Sequence, residues 1–165
     1  MIRDIVLGII PPNVFTNPVY ALVATITSCV VFLAFYWKRQ LLEGHMRLTY
    51  DRVMLVMDSI GLGIFTVVGV NTGIRSGYMD NVFLLVFLGT ITGVGGGLMR
   101  DMMAGVPPYI FVKHIYACAS IVGAIVCVHT YRWFGVVASL IFGSAAVILV
   151  RYLAAHYRWN LPKVK

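Results

Sequence analysis

Apolar residues fill five long runs along the chain, at 18–37, 53–74, 82–99, 109–130 and 133–150. Each is close to the length, about 20 mainly apolar residues, at which a helix crosses the hydrocarbon of a bilayer. The pattern therefore predicts five transmembrane helices. Polar residues collect in the breaks, and the connections are short apart from KRQLLEGHMRLTYD (38–51) between the first two runs. Trp37, Tyr78, Tyr131 and Trp133 stand at span ends, where an interfacial aromatic belt would place them.

Composition makes the class firm. The chain is 60% hydrophobic and 12% charged, with a mean hydropathy of +0.89. In a soluble domain about a quarter of residues are charged, and 165 residues could not hide this much apolar surface from water. The expected fold is an all-α integral membrane protein. The net charge of +7 would suit nucleic acid if it lay on one face. Here the basic residues lie between and after the apolar runs, so no nucleic-acid partner is expected. Cys29, Cys118 and Cys127 fall inside runs without metal-ligand spacing and read as small buried hydrophobes. Neither a metal nor another cofactor is expected, and no cleavable signal peptide is visible.

Charge also orients the spans. Five spans put the 38–52 loop, the 100–113 region and the C-terminal tail on one side. That side carries Lys38, Arg39, Arg47, Arg52, Arg100, Lys113, Arg151, Arg158, Lys163 and Lys165, and the other only Arg3, Arg75 and Arg132. The bias makes the C-terminus cytoplasmic.

An internal echo carries more information. RDIVLGIIPP (3–12) and RDMMAGVPP (100–108) share an Arg-Asp pair, a Gly and a closing Pro-Pro, and the match runs on into YALVA (20–24) and YACAS (116–120). Two spans precede the second phrase and one follows it, so a unit has three spans. An odd unit enters the membrane from alternate sides, which makes an inverted repeat of the kind many transporters use. Arg3 and Asp4 are then the counterparts of Arg100 and Asp101. The first phrase starts at residue 3, so the expectation is a chain whose first two spans, about 40 to 55 residues at the length a span needs, are missing. Residues 1–37 read as the remnant of the first repeat, 38–52 as a cytoplasmic loop and 53–130 as the complete second repeat. The final helix would be 133–155 and the cytoplasmic tail 156–165.

Few residues carry candidate chemistry. Gly89, Gly93 and Gly97 recur every four residues, a stripe that lets another helix approach closely. Gly95 and Gly96 complete a run of three with Gly97. Each glycine costs about 1 kcal/mol against Ala in a helix, so a kink or unwound turn is expected at Gly93, Gly95, Gly96 and Gly97. Close packing alone is the alternative. A phosphate loop is excluded, because the dinucleotide spacing counted from Gly93 would need a glycine at Leu98. Asp58 is the one acidic residue inside an apolar run. An intramembrane charge is costly and points to function, or else to an ion pair that holds the bundle, with Arg100 as the partner. Its face should continue through Gly61, Phe65 and Gly69 into the protein. Asp101 would clamp the Gly-Pro-Pro turn, Arg100 could screen a pore mouth, and Lys113 would snorkel, bind anionic lipid or sense voltage. No residue set suggests catalysis.

DSIGLGIFTVVG (58–69), GTITGVGGGLMRDMMAGVPP (89–108) and RDIVLGIIPP together resemble the bacterial branch of the trimeric intracellular cation channel family, whose members are also labelled glycine transporters. The resemblance implies two inverted three-helix repeats plus a final helix, a homotrimer, and an ion path in each protomer lined by glycine-kinked second and fifth helices. Residues 82–99 would be the fifth. The function so implied is passive permeation of monovalent cations, chiefly potassium, across the bacterial inner membrane. Alternatives are uptake of a small zwitterion such as glycine by alternating access, or a non-conducting remnant that only packs and oligomerises.

Overall fold

A computed structural model describes residues 2–12, 18–38, 46–108, 110 and 115–157. They form helices α1 (Ile2–Val6), α2 (Pro18–Lys38), α3 (Met46–Arg75), α4 (Val82–Met103) and α5 (Ile115–His156), with no strand among the described residues. The chain divides into two compact units, Met1–Leu55 and Val56–Lys165. The expected all-α class is observed.

In the first unit, α1 closes on a left-handed Gly8, with φ 71°. The Leu7 N–H donates to the Arg3 carbonyl (3.0 Å), Gly8 N–H to Ile5 (3.0 Å) and Ile9 N–H to Asp4 (2.8 Å). This pattern satisfies the last carbonyls of a helix and needs a residue that tolerates positive φ. α2 starts on Pro18, whose missing N–H costs nothing at a first helical position. Its Leu22, Ile26, Val30 and Phe32 are exposed, as suits a helix bathed in lipid. Thr25 and Thr27 return their hydroxyls to the Ala21 and Val23 carbonyls, 2.9 and 2.7 Å away, so neither hydroxyl faces lipid unpartnered.

Three helical stretches are long and apolar enough to cross a membrane: Val53–Arg75, Val82–Met103 and Tyr116–His156. The last is 41 residues long and breaks at Gly135, whose φ of 77° and ψ of −169° lie where essentially only glycine is found. Two arms, 115–134 and 136–156, result. The sequence division into 109–130 and 133–150 is thus placed a few residues too early, because Trp133 and Phe134 complete the first arm.

Small residues bring these rods together. A Cβ at Gly69 would stand 2.6 Å from the Leu88 carbonyl and 2.9 Å from the Gly89 Cα, so α3 and α4 touch backbone to backbone. Gly123 and Gly143 do the same between the two arms of α5, against Val147 and Cys127. In lipid no hydrophobic force drives helices together, and such close van der Waals contact takes its place. Two apolar clusters fill the remaining space. Val67, Val70, Ile74, Leu85, Ala124, Cys127 and Val128 form one, and Leu62, Val94, Tyr116, Ala119 and Val147 the other.

Several expectations change. α4 is helical from Val82 to Met103, so Gly93, Gly95, Gly96 and Gly97 do not unwind it. The second half of the expected 38–52 loop belongs to α3. Of the cysteines only Cys127 is buried; Cys29 and Cys118 are exposed, which costs nothing for a small apolar side chain against lipid.

Candidate functional site

α4 ends as α1 does. Ala104 N–H donates to the Arg100 carbonyl (3.0 Å), Gly105 N–H to Met102 (3.2 Å) and Val106 N–H to Asp101 (3.1 Å), with Gly105 at φ 66°. The side chains match as well. Arg100 Nε and Nη2 lie 3.0 and 2.8 Å from Asp101 Oδ1, and Arg3 Nε and Nη2 lie 2.8 and 2.7 Å from Asp4 Oδ1. The two Arg-Asp phrases therefore adopt one local structure, in which the carboxylate grips the preceding guanidinium while its backbone carbonyl caps the helix.

Around Arg100 the second unit assembles a charge cluster from three helices. Asp58 Oδ1 accepts from Arg100 Nη1 (2.9 Å) and from the Tyr116 hydroxyl (3.3 Å), and Oδ2 accepts from Arg151 Nη2 (2.9 Å). Arg151 Nε donates to Ser59 Oγ (3.2 Å), and its guanidinium lies 4.6 Å from the centre of the Tyr116 ring. The side chains of Asp58, Asp101 and Arg151 are 8%, 5% and 6% exposed, while that of Arg100 is 34% exposed. A lone buried charge would cost several kcal/mol. Here two carboxylates meet two guanidiniums, and the formal charges cancel.

The expected Asp58–Arg100 pair is present. Arg151 was missed, because sequence reasoning counted it among the surface charges of the basic side. Its signal was a stripe: Ser139, Gly143, Val147 and Arg151 recur every four residues and are all buried. Tyr116 and Ser59 were also unassigned, although Tyr116 opens the repeated YACAS. The inward face of α3 carries Ser59, Leu62, Thr66 and Val70; Phe65, expected there, is exposed, although Gly69 does face inward. Lys113 lies outside the described residues.

The glycine run divides into two parts. Gly93 fits against a buried hydroxyl pair, Thr66 Oγ1 and Ser120 Oγ, 2.7 Å apart, with Thr66 also donating to the Leu62 carbonyl (2.7 Å). A Cβ at Gly93 would run into Thr66 Oγ1, and one at Gly97 into the Tyr116 hydroxyl. At Gly95 a Cβ would find nothing within 4 Å, and at Gly96 only the edge of Phe65 at 4.0 Å. Gly96 and Arg100 are one turn apart on α4, and the guanidinium of Arg100, held between Asp58 and Asp101, is 34% exposed.

Known proteins share this framework. Residues 55–132 match a family described as Glycine transporter. The UPF0126 inner membrane protein YadS of Escherichia coli (strain K12) is 32% identical over 164 residues, covering 98% of this chain and 74% of that one. A UPF0126 membrane protein of Vibrio cholerae is 30% identical over 164 residues, covering 98% and 64%. Among solved structures, a prokaryotic TRIC channel in 0.5 M KCl superimposes with a TM-score of 0.82 at 27% identity, over 97% of this chain and 76% of that chain. The TRIC trimeric intracellular cation channel orthologue from Rhodobacter sphaeroides gives 0.81 at 26% identity, over 96% and 76%.

Proposed function

Because the chain belongs to the bacterial trimeric intracellular cation channel family, as its UPF0126 relatives, its Glycine transporter match and its TRIC structural neighbours together support, we propose that it carries monovalent cations, chiefly potassium, across the bacterial inner membrane. The observation that carries the reading is the open side of α4, where a Cβ at Gly95 would meet nothing within 4 Å and one at Gly96 only the edge of Phe65 at 4.0 Å. A helical carbonyl keeps a second lone pair, and uncovered carbonyls can replace part of an ion's hydration shell. Gly93 and Gly97 hold the wall against α3 and α5, and Arg100 stands at its end as a fixed cation. The working assembly is a homotrimer with one path per protomer and a cytoplasmic C-terminus. The shared structure of the two Arg-Asp phrases supports an inverted repeat as the frame.

Proteoliposomes under a potassium chloride gradient test this. Single-channel currents that reverse near the potassium potential are expected. A second reading, uptake of glycine, is favoured by the 34% exposure of the Arg100 guanidinium, which leaves it within reach of a carboxylate beyond its partners Asp58 and Asp101. Saturable glycine uptake without ionic current would replace the channel reading.

A further inference from the structure

We propose that Arg151 is a positioning residue for Arg100: acting through Asp58, it lets the last helical arm set how Arg100 is held between Asp58 and Asp101. Its consequence for permeation rests on the proposed cation path, whereas the positioning itself does not.

The argument starts from how Asp58 is shared. One oxygen serves Arg100 and Tyr116, and the other serves Arg151. The planar fork of an arginine matches both oxygens of a carboxylate, so with Arg151 gone Asp58 can take Arg100 in a two-point grip. Arg100 would then be drawn further onto α3, away from Asp101, with less of its guanidinium exposed. Arg151 is suited to prevent this, because three groups immobilise it: Asp58 Oδ2, Ser59 Oγ and the Tyr116 ring. A lysine could not both bridge the two oxygens and lie flat on the ring. The contrast in exposure, 6% against 34%, divides the roles: Arg100 can meet a solute, and Arg151 acts through Asp58.

Labelling of the full chain in vesicles with phenylglyoxal, read at Arg100 by peptide mass spectrometry, tests the positioning without any need for conduction. R151Q is expected to slow labelling of Arg100 about threefold, the scale of coupling between residues in one network. S59A, which loosens Arg151 and removes no charge, is expected to slow it less, with exposed Arg132 unchanged as the reference. Unchanged labelling of Arg100 in both variants overturns the inference, and S59A decides alone if R151Q fails to insert. Reversal potentials supply the second arm. R151Q is expected to change the potassium-over-chloride permeability ratio about threefold, and to change nothing in an R100Q background. Equal shifts in both backgrounds overturn the inference, since a structural loss or the direct field of Arg151 would act without Arg100. Absence of any current in the unaltered protein removes the proposed path, while the labelling still decides the positioning.

Discussion

Adding one methyl group at Gly93 and another at Gly95 should have opposite effects, although the two glycines are two residues apart on one helix. In Gly93→Ala the methyl must displace Thr66 Oγ1 and would also lie 3.1 Å from Ser120 Oγ and 3.2 Å from the Leu62 carbonyl. Losing the buried Thr66–Ser120 hydrogen bond costs about 1 kcal/mol, and overpacking a tight contact costs about 1 to 3 kcal/mol. Replacing a helical glycine returns about 1 kcal/mol. The net loss is about 1 to 3 kcal/mol. In Gly95→Ala nothing stands within 4 Å, so only the helix gain of about 0.5 to 1 kcal/mol remains. For a chain of this length each kcal/mol moves Tm by about 2 to 4 °C, which separates the variants by about 3 to 16 °C. Thermal ramps of the detergent-solubilised protein, followed by size exclusion of a fluorescent fusion, measure this. Melting of the two variants within about 2 °C of each other would refute the division of the run into a packed and an open part. Gly95→Ala and Gly96→Ala should meanwhile lower potassium conductance without lowering Tm. Unchanged currents in both would remove the open side as the wall of the path.

The remaining expectations concern the charge cluster and the helix ends. Asp58→Asn leaves two guanidiniums facing an amide, and should cost about 3 to 5 kcal/mol; the charge-balanced pair D58N/R151Q should lose less than the sum of the single changes, and simple additivity in thermal ramps would count against a shared cluster. Gly135→Ala forces a side chain into backbone space that favours glycine, at about 1 to 3 kcal/mol, so an unchanged Tm would contradict the break between the arms of α5. Gly105→Ala should cost about 1 to 2 kcal/mol through its left-handed conformation, with faster hydrogen exchange at the Gly105 and Val106 amides as the local readout.

Much of this molecule is legible along the chain. Apolar runs near the thickness of a bilayer imply helices, because in lipid each backbone group must find its partner within its own segment. The Arg-Asp-Gly echo implies one local structure used twice, because a positive-φ glycine cap depends only on residues within one turn of it. The Asp58–Arg100 pair was legible too, since a buried carboxylate demands a cation. Other features depend on which rods touch. Arg151 lies 93 positions from Asp58 and looked like one more basic residue at a span end; only the return of the second arm of α5 onto α3 buries it. The same holds for the glycines. Their spacing allows either close packing or an exposed backbone, and a glycine has no side chain to bias the choice. The decision belongs to its neighbours, with Thr66, Ser120 and Tyr116 filling the space at Gly93 and Gly97 and nothing filling it at Gly95. Local periodicity therefore determined where the helices are. Long-range contact decided which of their faces are closed, because that depends on atoms supplied by segments far away in the chain.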